Sequence, residues 1–328
     1  MMQIFDGLDN VPPCSSASVT VGSFDGLHLG HQKIVSLMQE ANSGPITVLT
    51  FEPHPQTVVR PDIPPPSQLT SRAERIELFR QIGIEHLVFA KFDLAFAAMS
   101  AAEYVREVLV KSLGAKKLFT GPNHRFGKDR LGNVELLIEM SIALGFEVSV
   151  VEPVMIGDEV ISSSRIRKKL LAGDATTAHL MLGKPYYLVG TVIRGEGRGR
   201  KLGFPTANLS NIAEGKLMPP PGIYSTVTEV EGERWPSVSH IGPRPTFSGA
   251  IPTIESHLIG FEGDLYGREI KIGLVGKLRD VVAFSGIGPL IEQMEIDRMM
   301  ASDNLDEMGY RKLTDDKLLS LTENWSII

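Results

Sequence analysis

The chain has a single cysteine, Cys14, in 328 residues. One thiol cannot close an intrachain disulfide or build a cysteine zinc cluster. A stapled secreted scaffold is therefore excluded, and a reducing, cytoplasmic setting is expected. No apolar stretch approaches the roughly 18 residues that span a bilayer, so no membrane partner is expected. The opening segment MMQIFDGLDN carries acids but neither Lys nor Arg, and it does not read as a secretory leader. Positive charge is also scarce: 33 Lys and Arg stand against 39 Asp and Glu, a net charge of −6. A broad nucleic-acid footprint is not expected, whereas a small anion needs only a local basic site. Hydrophobic residues at 42% and charged residues at 22% give a globular composition, which excludes a disordered or fibrous chain. At roughly 100–200 residues per domain, the length suggests about two domains.

The first half alternates strand and helix patterns. Residues 18–22, 46–51, 86–92, 117–121 and 147–153 are short β-rich runs. Helical patterns separate them, the first with Ile34, Leu37, Met38 and Ala41 on one face. Ser71 with Glu74 and Ser100 with Glu103 have the spacing of capping boxes. The alternation predicts a parallel sheet with helices on both faces. Gly173 and Gly183 then punctuate two short helical patterns. From Tyr186 onward strand follows strand, separated by Gly, Pro and Glu-Gly turns, which predicts an antiparallel barrel or sandwich. A last helical pattern carries Leu290, Ile291, Met294, Ile296 and Met299. The boundary is expected near residue 183, dividing 1–183 from 184–328.

The segment GSFDGLHLGH (22–31) follows a strand and opens a helix. Its glycines Gly22, Gly26 and Gly30 permit close approach of the backbone to a ligand. His28 and His31 lie three apart at the helix start and can face one point. A helix N-terminus attracts phosphate through its free N–H groups and dipole. Two imidazoles there can donate to phosphate oxygens as charge builds. The competing reading is one capping and one packed histidine; metal ligation is disfavoured because no third ligand stands at a characteristic spacing.

This region, with FEPHP (51–55) and ISSSRIR (161–167), resembles the flavin branch of the nucleotidyltransferases that carry an HxGH signature, here HLGH. The resemblance implies a Rossmann-like domain in which His28 and His31 act on ATP phosphates in the transition state. It also implies nucleotide or phosphate contacts from Gly22, Phe24, Asp25, Gly30, His54, Ser163, Ser164 and Arg167. A serine cap with an arginine one turn on suits a polyanion. GPNHRFG (121–127) matches a further motif of that branch and implies flavin contacts for Asn123 and Phe126. It departs from the pattern at His124, where an aromatic is usual, and at Pro122, often Glu. Glu52 likewise stands where Asp is usual.

RGEGRGRKLGFPTANL (194–209) is rich in glycine and arginine, and its FPTAN core places Thr206 and Asn208 on one side of an extended backbone. Both offer uncharged oxygen, which suits a Mg²⁺ shared with phosphates and water. GFPTAN, PGIY (221–224), IGPRPTF (241–247), TIESHL and DLYG together resemble the riboflavin kinase module. The resemblance implies a β-barrel with a terminal helix, Mg-ATP held by Thr206 and Asn208, nucleotide contacts from Gly203 and Pro205, and Glu255 as catalytic base.

Across residues 19–301 the two modules resemble the prokaryotic bifunctional riboflavin kinase/FAD synthetase family. That implies riboflavin, FMN and ATP as substrates, Mg²⁺ as cofactor, and two reactions: phosphorylation of riboflavin to FMN and adenylylation of FMN to FAD. The rivals are another nucleotidyltransferase, a riboflavin kinase with a degenerate first module, and a non-enzymatic flavin-binding or storage protein. Intact His28, His31, Ser163, Arg167 and Glu255 disfavour the last two. The sequence leaves the oligomeric state open.

Overall fold

The computed structural model describes residues 2–12, 16–195, 197–242 and 253–310. Cys14 and the 243–247 part of the IGPRPTF motif lie outside the described residues. The chain divides into two compact units. The first comprises Met1–Arg167, Leu180–Gly183 and Gly215–Leu217; the second comprises Lys168–His179, Lys184–Glu214 and the residues from Met218 onward.

In the first unit, strands β1 (Gln3–Asp6), β2 (Ala17–Val21), β3 (Ile46–Glu52), β4 (His86–Lys91), β5 (Ala115–Thr120) and β6 (Glu147–Val150) form a parallel sheet in the order β1-β4-β3-β2-β5-β6. Successive strand residues point to opposite faces, and both faces are covered. Leu49, Val88 and Leu118 join one buried cluster with Tyr104, Val105 and Leu109. Val48, Leu87 and Phe119 join another with Val35, Met38 and Phe79. Such two-sided burial is what a parallel sheet requires.

The helices α1 (Leu29–Ala41), α2 (Pro55–Val59) and α3 (Arg72–Gln81) follow β2 and β3. Both capping boxes form, at Ser71 with Glu74 and at Ser100 with Glu103. The second box opens a helix that widens into a π-helix over Tyr104–Ser112. The chain runs from β2 through β3 to β4, then crosses to β5 and β6. Sequence neighbours therefore part between β2 and β5, and the crevice outside the carboxyl ends at such a point is where open parallel sheets bind ligands. A two-stranded hairpin, β7 (Met155–Ile156) with β8 (Glu159–Val160), follows the sheet.

In the second unit, β9 (Tyr186–Ile193), β10 (Ala207–Ser210), β11 (Gly222–Val230), β12 (Glu233–Ile241), β13 (Ile254–Leu258) and β14 (Glu269–Arg279) close into an antiparallel barrel. The barrel wins over the sandwich because β9 pairs on one edge with β14 and on the other with β10. Its interior holds a hydroxyl network. Thr226 Oγ1 lies 2.8 Å from both Ser237 and Ser239, and the Ser239 hydroxyl donates to Ser256 at 2.9 Å. All are buried. Because each hydroxyl is satisfied by another, a one-residue slip of a strand would orphan several of them, so the network also fixes register. The helix Ile287–Glu307 follows the barrel.

Candidate functional site

In the first unit a cleft of about 570 Å³ lies beyond the carboxyl ends of the central strands. The loop after β2 supplies Ser23, and the start of α1 supplies His28 and His31; the start of α2 after β3 supplies His54 and Gln56; the segment after β5 supplies Asn123 and Arg130; and the start of the helix Ser163–Leu171 supplies Ser162, Ser163, Ser164 and Arg167. None of the described residues lining this cleft is acidic.

His28 caps α1, its Nδ1 accepting the His31 N–H at 3.4 Å. In the neutral ring the hydrogen is then on Nε2. The two imidazoles stack with centroids 3.6 Å apart and planes 17° from parallel. Gly30 makes room for this: a Cβ there would come within 3.1 Å of the His28 ring. Phe24, at positive φ of 48°, is 1% exposed and packs between His31 and Phe79, with centroids at 4.8 and 5.5 Å. It supports the histidine pair from below and does not line the cleft. Gly22 directly follows the strand that delivers this loop, its N–H donating to the Leu49 carbonyl at 3.1 Å.

Asp25 is also inside the protein. Its carboxylate accepts from the Leu69 N–H at 2.9 Å, from the Thr70 N–H at 2.8 Å and from the Thr70 hydroxyl at 2.9 Å. It also accepts from Arg167, with side-chain exposures of 14% for the arginine and 8% for the acid. The Ser163 hydroxyl donates to the Asp25 carbonyl at 2.8 Å, and Arg167 Nε donates to the Ser67 carbonyl at 2.8 Å. Asp25 thus joins the HLGH loop to the SSSRIR helix and orients its arginine, a positioning task that spacing alone did not reveal.

His54 caps α2 with Nδ1 accepting the Gln56 N–H at 3.2 Å. Burial, reinforced by Arg167, lowers its pKa, so it presents a neutral ring. Glu52 of the same motif pairs with Arg72 at 2.7 Å, and Arg72 lies over the Phe89 ring at 4.1 Å. Asn123 reaches the cleft, whereas Phe126 is 7% exposed and packs against Tyr104. His124 stacks on Phe126 at 5.6 Å, and burial, with help from Arg130, pushes its pKa down to about 4. It stays neutral and fills the place of the usual aromatic as a flat ring. Sequence reading passed over Ser23, Gln56, Ser162 and Arg130. Only the residue type and the nearness of Arg130 to GPNHRFG pointed to it, within a charged KDR run that reads as solvated.

In the second unit, Thr206 immediately precedes β10 and donates its hydroxyl to Glu255 Oε2 at 3.3 Å. Asn208 on β10 and His240 on β12 pair with Glu255 from its two sides. Directly paired residues of antiparallel strands share a face, so Asn208, Glu255 and His240 form one row, while Ser256 points into the barrel. Burial lowers the His240 pKa, with Glu255 opposing and Arg279 reinforcing. Gly203 (φ 87°) turns the chain into this segment, and Pro205 offers its carbonyl to His257 Nδ1 at 2.9 Å. Pro205 and Thr206 line a small cavity of about 70 Å³ with Arg200 and Tyr266. Among the described residues no three His, Cys, Asp or Glu are grouped to hold a metal.

Two family models match in the order of these sites: FAD synthetase over residues 12–165 and riboflavin kinase over residues 182–305. A bifunctional riboflavin kinase/FMN adenylyltransferase of Escherichia coli K12 is 32% identical over 308 residues, covering 92% of this chain and 97% of its own. The chain belongs to the bifunctional riboflavin kinase/FMN adenylyltransferase family. A member from Bacillus subtilis strain 168 is 35% identical over 289 residues, covering 86% of this chain and 90% of its own. A solved Streptococcus pneumoniae structure described as a macrolide-efflux protein shares the fold, with a TM-score of 0.79, 27% identity and coverage of 96% and 100% of the two chains. Among the described residues of this family member, no helix is long and apolar enough to cross a membrane.

Proposed function

We infer that this protein makes FAD from riboflavin in two ATP-dependent steps, with residues 184–328 as the kinase module and 1–183 as the adenylyltransferase module, in the cytoplasm. The observation that carries the second step is the stacked His28 and His31 pair at a helix start, lining one cleft with Ser163, Ser164 and Arg167.

In the kinase step the terminal ribityl hydroxyl of riboflavin attacks the γ-phosphate of ATP, giving FMN and ADP. Glu255 accepts the hydroxyl proton, and its carboxylate is held in place by the Thr206 hydroxyl. The oxygens of Thr206 and Asn208 beside a carboxylate are a hard-donor set that fits Mg²⁺. When bound there, that ion would neutralise phosphate charge. In the adenylyl step a phosphate oxygen of FMN attacks the α-phosphate of ATP, the bond to the β-phosphate breaks, and pyrophosphate leaves. His28 and His31 donate to the charge that develops, Ser163 and Ser164 line the phosphate end of the cleft, and Arg167 is aimed by Asp25. Neither step needs a covalent enzyme intermediate, because each attacking oxygen belongs to the flavin.

Chromatography of products from the pure protein with riboflavin, ATP and Mg²⁺ tests this. FMN followed by FAD supports both steps. FMN alone would leave only the kinase, and no product would point to a flavin-binding protein.

A further inference from the structure

The adenylyl step must bring two anions together, the triphosphate of ATP and the phosphate monoester of FMN. The cationic groups of the cleft are not equivalent in their availability for this. Arg167 is committed to Asp25 and to the Ser67 carbonyl. His54 is held neutral by its burial. Arg130 also lines the cleft, its side chain is exposed, and it has no carboxylate partner among the described residues.

Arg130 is presented by a loop that is closed at both ends. Phe126 and Gly132 exchange backbone bonds of 3.2 and 2.9 Å, the Lys128 N–H donates to the Met99 carbonyl at 2.8 Å, and the Arg130 N–H donates to the Gly127 carbonyl at 3.0 Å. Gly127 has a φ of 69°, and a Cβ there would meet the Ala101 backbone at 2.6 Å. Asp129 and Arg130 follow at φ 54° and 58°, left-handed values that residues with a Cβ rarely adopt. The loop lies after β5, so Arg130 lines the cleft from a different segment than the His28 and His31 helix and the Ser163 helix. Asn123, from the same loop, lines the cleft as well.

We propose that Arg130 recognises the phosphate monoester of the flavin substrate in this cleft. The proposal rests on the reading of the cleft as the site of FMN adenylylation. A guanidinium presents a planar fork that matches two phosphate oxygens. With the histidine pair and the serine helix start serving the nucleotide, Arg130 supplies the counter-charge for the attacking anion. An electrically neutral flavin, lacking the phosphate, gains nothing from it.

The test is steady-state FAD formation by the full chain carrying Arg130→Ala or Arg130→Lys, with FMN and ATP varied in turn. Loss of a charge-assisted phosphate contact should raise KM for FMN about 10–100-fold. KM for ATP should stay within about twofold, a split that general loss of structure would not produce. Arg130→Lys should recover part of the loss by restoring charge without the fork. Urea unfolding of the same preparations, with a KM for ATP near the wild-type value, reports that the first unit is folded; should Arg130→Ala fail that control, Arg130→Lys and Arg130→Gln decide. An unchanged KM for FMN, or a rise confined to KM for ATP, overturns the assignment while leaving the reading of the cleft intact. Absence of FAD formation by the wild-type chain removes that reading and the proposal with it.

Discussion

Arg167 and Asp25, 142 residues apart in sequence, form a largely buried ion pair at the wall of the first cleft. The same carboxylate holds the backbone of Leu69 and Thr70, so one side chain ties three segments together. Asp25→Ala should leave a buried guanidinium without its partner, which typically costs about 3–5 kcal/mol. Urea unfolding should show that loss, and FAD formation should fall with it. A variant of wild-type stability would mean that the pair is dispensable.

His31→Ala removes one of the two stacked rings at the α1 start. Loss of a single donor to developing charge commonly costs about 10²–10³ in rate. FAD formation from FMN should drop by that amount, with riboflavin phosphorylation unchanged. Equal losses in both reactions, in a folded protein, would contradict two separate sites.

His179 is 8% exposed, and its Nδ1 has no hydrogen-bond partner among the described residues. Burial pushes its pKa down from 6.5 to about 4. Above pH 6.5 the ring is neutral in both the folded and the unfolded chain, and the two states do not differ. Between 6.5 and about 4 only the unfolded chain takes up the proton, so stability falls as pH falls. At about 1.4 kcal/mol per pH unit the whole window is worth up to about 3–4 kcal/mol. Urea midpoints measured from pH 7.5 down to 4.5 should therefore decline less steeply for His179→Leu than for the wild type. Parallel declines would show that the ring does not titrate in this way.

The second unit includes Lys168–His179, upstream of the boundary proposed at residue 183. In that segment Ala175 and Ala178 are 2% and 0% exposed. A fragment of residues 168–328 should therefore fold and make FMN at roughly the full-chain rate, since a unit with its own core can fold alone. Residues 184–328 should melt at a lower temperature. If the shorter fragment is as stable as the longer, the boundary belongs at 183.

Much of this was legible in the sequence because it is local. A serine three residues before a glutamate completes a capping box with no help from the rest of the chain, and Ser71 and Ser100 both do so. His28 and His31 meet because they are one helical turn apart. What was hidden depends on partners distant in sequence. Asp25 finds Leu69 and Thr70 only after folding, and closure of the barrel needs β9 to pair on both edges. The strand Gln3–Asp6 was missed because four residues at a sheet edge, held by β4 alone, show no readable periodicity. Arg130 was hidden because backbone angles, not spacing, bring it to the cleft.

Glu255 offers the sharpest test of the kinase site. Glu255→Gln keeps the size of the side chain and its place between Asn208 and His240, and the amide oxygen can still accept from Thr206. What it removes is the proton acceptor. A general base typically contributes about 10²–10⁴-fold, so kcat for FMN formation at saturating ATP and riboflavin should fall by that range. FAD formation from added FMN should persist, because His28 and His31 are untouched. Riboflavin affinity, followed by flavin fluorescence, should hold as well, since a flavin ring is gripped by apolar and stacking contacts more than by one carboxylate. The counter-argument is physical: phosphoryl transfer through a loose transition state asks little of a base, and positioning at Thr206 and Asn208 could supply most of the rate. The two accounts separate cleanly by magnitude. A Glu255→Gln rate within about threefold of wild type would assign the work to positioning and take Glu255 off the catalytic residues.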